Sequence, residues 1–179
     1  TRLIGGIIMT HGDNNGLVLP PKVAPVQVVV LPIAQHKSGV LEGAAAIRDR
    51  LIEAGLRVKM DDSDNSMGWK CAEYEMKGVP LRLELGPRDI ENNQCVVVRR
   101  DTREKYFVSL DELQTKIPEL LQVVHDGLYN AALERRNNMT YVANNMDEMI
   151  DIAENKPGFI KAMWCGDREC EDALKEQAG

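Results

Sequence analysis

VQVVVLPIAQHKSGVLEGAAAIRDRLIEAGLRVKMDD, residues 26–62, decides the fold. Its first run, Val26 to Pro32, is apolar and β-branched, which predicts a buried strand. VLEGAAAIRDRLIEAG spaces its apolar side chains as an amphipathic helix and ends on Gly55. LRVKMDD then alternates as a second strand, so the stretch reads as strand, crossover helix, strand.

The rhythm continues outward. MGWKCAEYEMKG reads as a helix stopped by Gly78, and VPLRLELG, QCVVVRR and KYFVSL as three strands separated by PRDIENN and the charged turn DTRE. The expected core is therefore an α/β domain with a five-stranded mixed sheet and flanking helices. Ser109 with Glu112 forms a capping-box pattern. Leu113, Ile117, Leu120, Leu121, Val124 and Leu128 keep helical spacing up to RRNN, with Pro118 expected to open a second helical segment.

On the N-terminal side, TRLIGGIIMTHGD is apolar and begins abruptly, as inside a buried helix or strand, and NNGLVLPPKVAP is a linker. On the other side come a short helix, a turn at Pro157 and Gly158, a strand FIKAMW, the cysteine pair in WCGDREC, and a helical tail. Three segments follow: 1–23, 24–123, and a partial α+β domain over 124–179.

The formal net charge of −6 argues against indiscriminate nucleic-acid binding, which needs a broad basic surface. The charge is uneven, however. Residues 106–179 carry 7 basic and 14 acidic side chains, whereas residues 67–105 carry 8 and 7. A polyanion is tolerated by the middle of the chain and repelled by its end. No apolar run reaches membrane-spanning length and no secretory leader pattern opens the chain, so a cytoplasmic protein with reduced thiols is expected, without membrane or DNA partners.

Among the 4 cysteines, Cys71 and Cys95 sit in helix and strand patterns as small buried hydrophobes, leaving Cys165 and Cys170 as half of a zinc site. None of the 3 histidines, His11, His36 and His125, belongs to a catalytic motif, and no nucleophile elbow or P-loop occurs.

The densest polar sequence is DDSDNSMGWKCAEYEMKGVPLRLELGPRDIENN, residues 61–93. A strand end offers Asp61, Asp62 and Asp64, the following helix Lys70, Glu73 and Lys77, and a later loop Arg88 and Asp89. One reading is structural: Glu73 and Lys77 are an i,i+4 pair and GPRD a plain turn. The other is recognition of single-stranded RNA. Carboxylates accept the paired N–H donors of a guanine Watson–Crick edge, while Arg or Lys suits its O6 and N7 acceptors.

TRLIGGIIMTHGDNNGLVLPPKVAPVQVVVLPI, DDSDNSMGWKCAEYEMKGVPLRLELGPRD and WCGDREC, in this order and at these distances, closely resemble the C-terminal part of the prolyl-tRNA synthetases, in the subtype without an editing insertion. The resemblance covers essentially the whole chain. It implies a class II synthetase that joins proline to its tRNA through a prolyl-adenylate, using ATP and magnesium, and that dimerises largely through its catalytic domain.

On that resemblance, Arg2 ends the third class-defining motif and contacts ATP, and residues 24–123 are the anticodon-binding domain shared with the threonyl, histidyl and glycyl enzymes. The proline anticodon ends in two guanines. Asp64, Lys70, Glu73, Arg88 and Asp89 are then the expected anticodon contacts, with Arg100 on backbone phosphate. A second cysteine pair completes a zinc site with Cys165 and Cys170 in the family. The first two class motifs are missing, so these residues are expected to be a fragment that neither aminoacylates nor binds zinc by itself. The alternatives are a free-standing paralogue acting as an RNA- or protein-interaction module, or a different class II synthetase with the same domain.

Overall fold

The computed structural model describes residues 2–178; Thr1, part of the expected third-motif end, and Gly179, the last residue of the expected tail helix, lie outside the described residues. The chain divides into two units after Tyr129.

The first unit opens with α1 (Arg2–His11), expected to be buried; no residue of it is, and Leu3, Ile4, Ile8 and Met9 are exposed. Then follow β1 (Val28–Pro32), α2 (Val40–Glu53), β2 (Val58–Met60), α3 (Met67–Met76), β3 (Leu81–Leu85), α4 (Pro87–Glu91), β4 (Gln94–Arg99) and β5 (Lys105–Ser109). The five strands form one sheet in the order β2-β1-β3-β4-β5. β1 runs parallel to β2 and β3, and β4 and β5 are added antiparallel, so the sheet is mixed as expected.

β1 is an interior strand and every residue of it is buried, because both of its faces are covered; this is why VVVLP carries no polar alternation. On one face, α2 contributes Val40, Ala44, Ile47 and Leu51, spaced as one helical stripe. With Leu113, Ile117, Leu121 and Val124 of α5 (Leu113–Asn138), they pack on Val28, Val30, Leu81, Leu83, Leu85, Cys95 and Val97. On the other face, Tyr74 of α3 and Val79 pack on Val29 and Leu31 of β1.

GPRD is not a plain turn: Gly86 caps a one-turn helix over Pro87–Glu91, opened by proline at its first position and by the Asp89 carboxylate. Ser109 accepts from the Asp111 N–H and so caps a 3-10 turn ahead of α5, in place of the expected bond pattern with Glu112. α5 passes through Pro118 without a break. Buried Leu113 and Ile117 before it, and Leu121 and Val124 after it, hold the helix to the sheet and offset the missing hydrogen bond.

The linker is fastened to the end of α3. The Leu17 and Leu19 N–H groups donate to the carbonyls of Met76 and Gly78, at 2.9 and 3.1 Å. Gly78 has φ 70°, and a Cβ there would lie 2.7 Å from the Leu17 backbone. Only glycine meets both demands.

The second unit comprises the end of α5, β6 (Thr140–Val142), α6 (Met146–Asn155), β7 (Phe159–Lys161) and α7 (Arg168–Ala178). β6 lies outside the sequence expectation, and FIKAMW is strand only over its first three residues, paired parallel with β6. Asn145 caps α6 by accepting the Glu148 N–H at 2.9 Å. None of the described helices is long and apolar enough to cross a membrane.

Candidate nucleic-acid interface

Parallel strands β1, β2 and β3 end at one edge of the sheet, where ligands of α/β folds commonly sit. Asp64 lies in the loop from β2 to α3, Lys70 near the start of α3, and Arg88 and Asp89 in α4, all of which follow strand ends at this edge. A polar cleft of about 210 Å³ lies there, lined in part by Gln35, His36, Asp64, Asn65 and Lys70. The Gln35 side-chain N–H₂ donates to Ser63 O at 3.2 Å and to Asp64 Oδ1 at 3.4 Å, leaving its buried carbonyl oxygen without a partner.

Two of these side chains also serve the fold. Lys70 is buried, its Nζ donating to Asp61 O at 3.0 Å and lying 3.7 Å from Asp61 Oδ1. Burial alone would raise the Asp61 carboxyl pKa, but bonds from the Ser63 hydroxyl and N–H and from the Tyr74 hydroxyl, with the nearby Lys70 charge, hold it below the ordinary range. Asp89 Oδ2 accepts the Gly86 N–H at 2.8 Å and so closes the first turn of α4. Arg88 is exposed and makes no side-chain hydrogen bond or ion pair with the described residues.

Glu73 and Arg100 stand apart from this edge. Glu73 pairs with Lys77 along α3. Arg100, near the opposite edge, is buried: Nη1 and Nη2 donate to Asp13 Oδ2 and Oδ1 at 2.8 and 2.7 Å, and Nε to Glu75 O at 2.7 Å. The Arg100 guanidinium holds the Asp13 carboxyl down at a pKa of about 2.

α3 packs chiefly on β1. Across the same face of β3, β4 and β5, Val98 is buried and Arg82 and Glu84 are half-buried, so the face opens to solvent at Lys105 and Phe107 of the edge strand β5. Strand register places Arg82, Val98 and Lys105 in one row across it, and Glu84, Val96 and Phe107 in the next. Arg82 Nε donates to Glu84 Oε1 at 2.8 Å. Lys105 is exposed, and the Phe107 ring is 71% exposed, so an aromatic face stands ready beside a cation. At the α3 side, Arg103 pairs with Glu75 at 2.7 Å, bordering a cleft of about 140 Å³ that Arg82 and Lys105 also line.

Arg2 is exposed on α1. Cys165 and Cys170 are exposed, free and hydrogen-bonded to each other, which lowers the Cys165 thiol pKa and raises that of Cys170. Among the described residues no group of three or more His, Cys, Asp or Glu is placed to hold a metal ion.

Residues 27–120, spanning the whole five-stranded sheet, match the family described as anticodon binding domain. The chain belongs to the anticodon-binding domain family. It is also similar over its full length to proline–tRNA ligases: 63% identical to that of Clostridium novyi (strain NT) and 60% to that of Clostridium botulinum (strain Langeland). It is 59% identical to proline–tRNA ligase 2 of Bacillus cereus (strain ZK). In each case all of this chain is covered but only 37% of the relative, so the chain spans about a third of these ligases.

The α3-side face of β3 to β5, exposed at Lys105 and Phe107, is a surface the sequence did not single out. Its signal was present in LRLEL: Arg82 and Glu84 alternate with buried leucines, whereas β1, covered on both faces, shows no such alternation. Phe107 carried no signal, since an aromatic in a strand reads as core until the missing cover is seen.

Proposed function

We propose that the chain is the anticodon-recognition region of a proline–tRNA ligase and that it reads the guanines of the proline anticodon. The observation that carries this reading is the exposed end of the sheet face on β5, where the Phe107 ring and Lys105 stand in the open, with the half-buried Arg82–Glu84 pair two strands away on the same face. An unpaired base stacks on such a ring, a carboxylate accepts from the guanine Watson–Crick edge, and a cation takes phosphate or the O6 and N7 acceptors. Glu75 is the half-buried carboxylate at its border, paired with Arg103.

The carboxyl edge supplies the second part of the proposal. Arg88, unpaired and exposed, and Asp64, beside the unpartnered Gln35 carbonyl, are the groups there freest to meet RNA. Lys70 and Asp89 shape that edge through Asp61 and the α4 cap, Glu73 acts by way of Lys77, and Arg100 retains N–H groups toward phosphate only beyond its three bonds to protein. The whole enzyme, on the likeness to its relatives, charges tRNA(Pro) with proline in the cytoplasm, as a homodimer using ATP and magnesium. Arg2 is the ATP contact of that enzyme, and Cys165 and Cys170 contribute half of a zinc site to it.

The test is fluorescence anisotropy with a labelled proline anticodon stem-loop. Replacing either anticodon guanine by adenine should weaken binding by about tenfold, within the range of one lost base contact. Glu75→Gln and Phe107→Ala should weaken the native loop while narrowing the gap between guanine and adenine loops. Equal binding of guanine and adenine loops would overturn the reading.

A further inference from the structure

The second unit carries a face that the anticodon reading does not use. The parallel register of β6 and β7 sets Thr140 beside Phe159 and Val142 beside Lys161. Strand alternation turns these four to one side and Tyr141 and Ile160 to the other. Ile160 lines the unit's apolar cavity with Met146, Met149 and Leu174, so the inner side is occupied. The outer side, with Arg136 and Asn137 from the end of α5, forms an open cleft of about 600 Å³.

Three features of this cleft point to one class of ligand. Phe159 is 65% exposed, yet its backbone is pinned: its N–H donates to Met139 O at 2.8 Å, and Gly158, at φ 139°, packs so close that a Cβ would collide with that carbonyl. The ring is thus presented from a fixed strand start. Residues 130–179 carry 10 acidic and 6 basic side chains, but the cleft is lined by two cations and no carboxylate. Lys161 makes no side-chain hydrogen bond or ion pair with the described residues, and Arg136 donates only to its neighbour Asn137, at 3.2 Å.

An apolar protein partner would have to desolvate both cations. A single-stranded polyanion whose bases have π faces satisfies the ring and the cations together. We propose that the outer face of β6 and β7 binds single-stranded RNA, with an unpaired base stacked on Phe159 and phosphates held by Arg136 and Lys161. This contact needs no guanine and stands apart from the anticodon reading.

The probe is a labelled oligoadenylate of about twelve nucleotides, which cannot pair with itself and contains no guanine. The full chain should bind it at about 50 mM salt, and Phe159→Ala should weaken that binding at least about fivefold. Arg136→Ala with Lys161→Ala should flatten the dependence of log affinity on log salt by about 1.4, two single-strand phosphate contacts at roughly 0.7 each. All three side chains are exposed, so circular dichroism should be unchanged. No binding by the unsubstituted chain, or equal binding and equal salt slope in the variants, would overturn the proposal. So would a dimer in sedimentation that Phe159→Ala dissociates, which would give the face to protein association. A failure of guanine discrimination in the stem-loop assay would leave it standing.

Discussion

Asp13→Asn tests the ion pair that ties the linker to the sheet domain. The Arg100 side chain is 3% exposed and Asp13 is 39% exposed, with both guanidinium terminal nitrogens on the carboxylate. Lowering the Asp13 pKa from 3.8 to about 2 corresponds to about 2.4 kcal/mol before screening. Because Asp13 is more than a third exposed, solvent reduces this to roughly 1–1.5 kcal/mol. The variant adds the cost of a buried Arg100 without its counter-charge, so the expected loss at neutral pH is about 1–2 kcal/mol.

Urea unfolding followed by Trp69 fluorescence, with Trp164→Phe as background, reports the first unit. At slopes of about 1–3 kcal/mol/M the midpoint should fall by roughly 0.5–1 M. The sign with pH follows from the depressed folded pKa. The stabilisation is fully present above the unfolded pKa near 3.8 and is lost as pH falls through about 2. The unsubstituted and Asp13→Asn proteins should therefore converge between about pH 4 and pH 2. A difference under about 0.3 kcal/mol at neutral pH, or one that stays constant down to pH 2, would refute the assignment of Asp13 as the counter-charge of Arg100.

Gly78→Ala should destabilise the first unit by about 1–3 kcal/mol, since a left-handed backbone and a Cβ 2.7 Å from the Leu17 backbone add together; a Tm equal to that of the unsubstituted chain would show that the linker can lift away at no cost. Thiol labelling should start at Cys165, whose pKa is lowered by the Cys170 hydrogen bond. It should leave Cys95 unlabelled, because burial, with the Asp89 charge, pushes that thiol up to about 12. Mass spectrometry of peptides after a short iodoacetamide pulse reads the order, and early labelling of Cys95 would contradict its place in the core.

The sequence by itself determined the sheet. Apolar runs of period two, helical stripes of period 3.6 and the glycines at 55 and 78 are local signals, and local signals place strands and helices wherever burial follows the pattern. It also marked residues 61–93 as the densest polar stretch, whose residue types are compatible with a guanine edge.

What it left open was which polar side chains remain free. Lys70, Asp89 and Arg100 all bear the right charge, yet each is drawn into the protein: Asp89 by the Gly86 N–H three positions before it, Lys70 by Asp61, and Arg100 by Asp13, 87 positions away, a partner that sequence spacing does not mark. The unbroken helix at Pro118 and the exposure of Phe107 on β5 have the same origin. Whether a helix survives a proline, or a strand face meets water, depends on what packs across from it. Tertiary structure alone decides that, since long-range packing sets both burial and the competition for each charge.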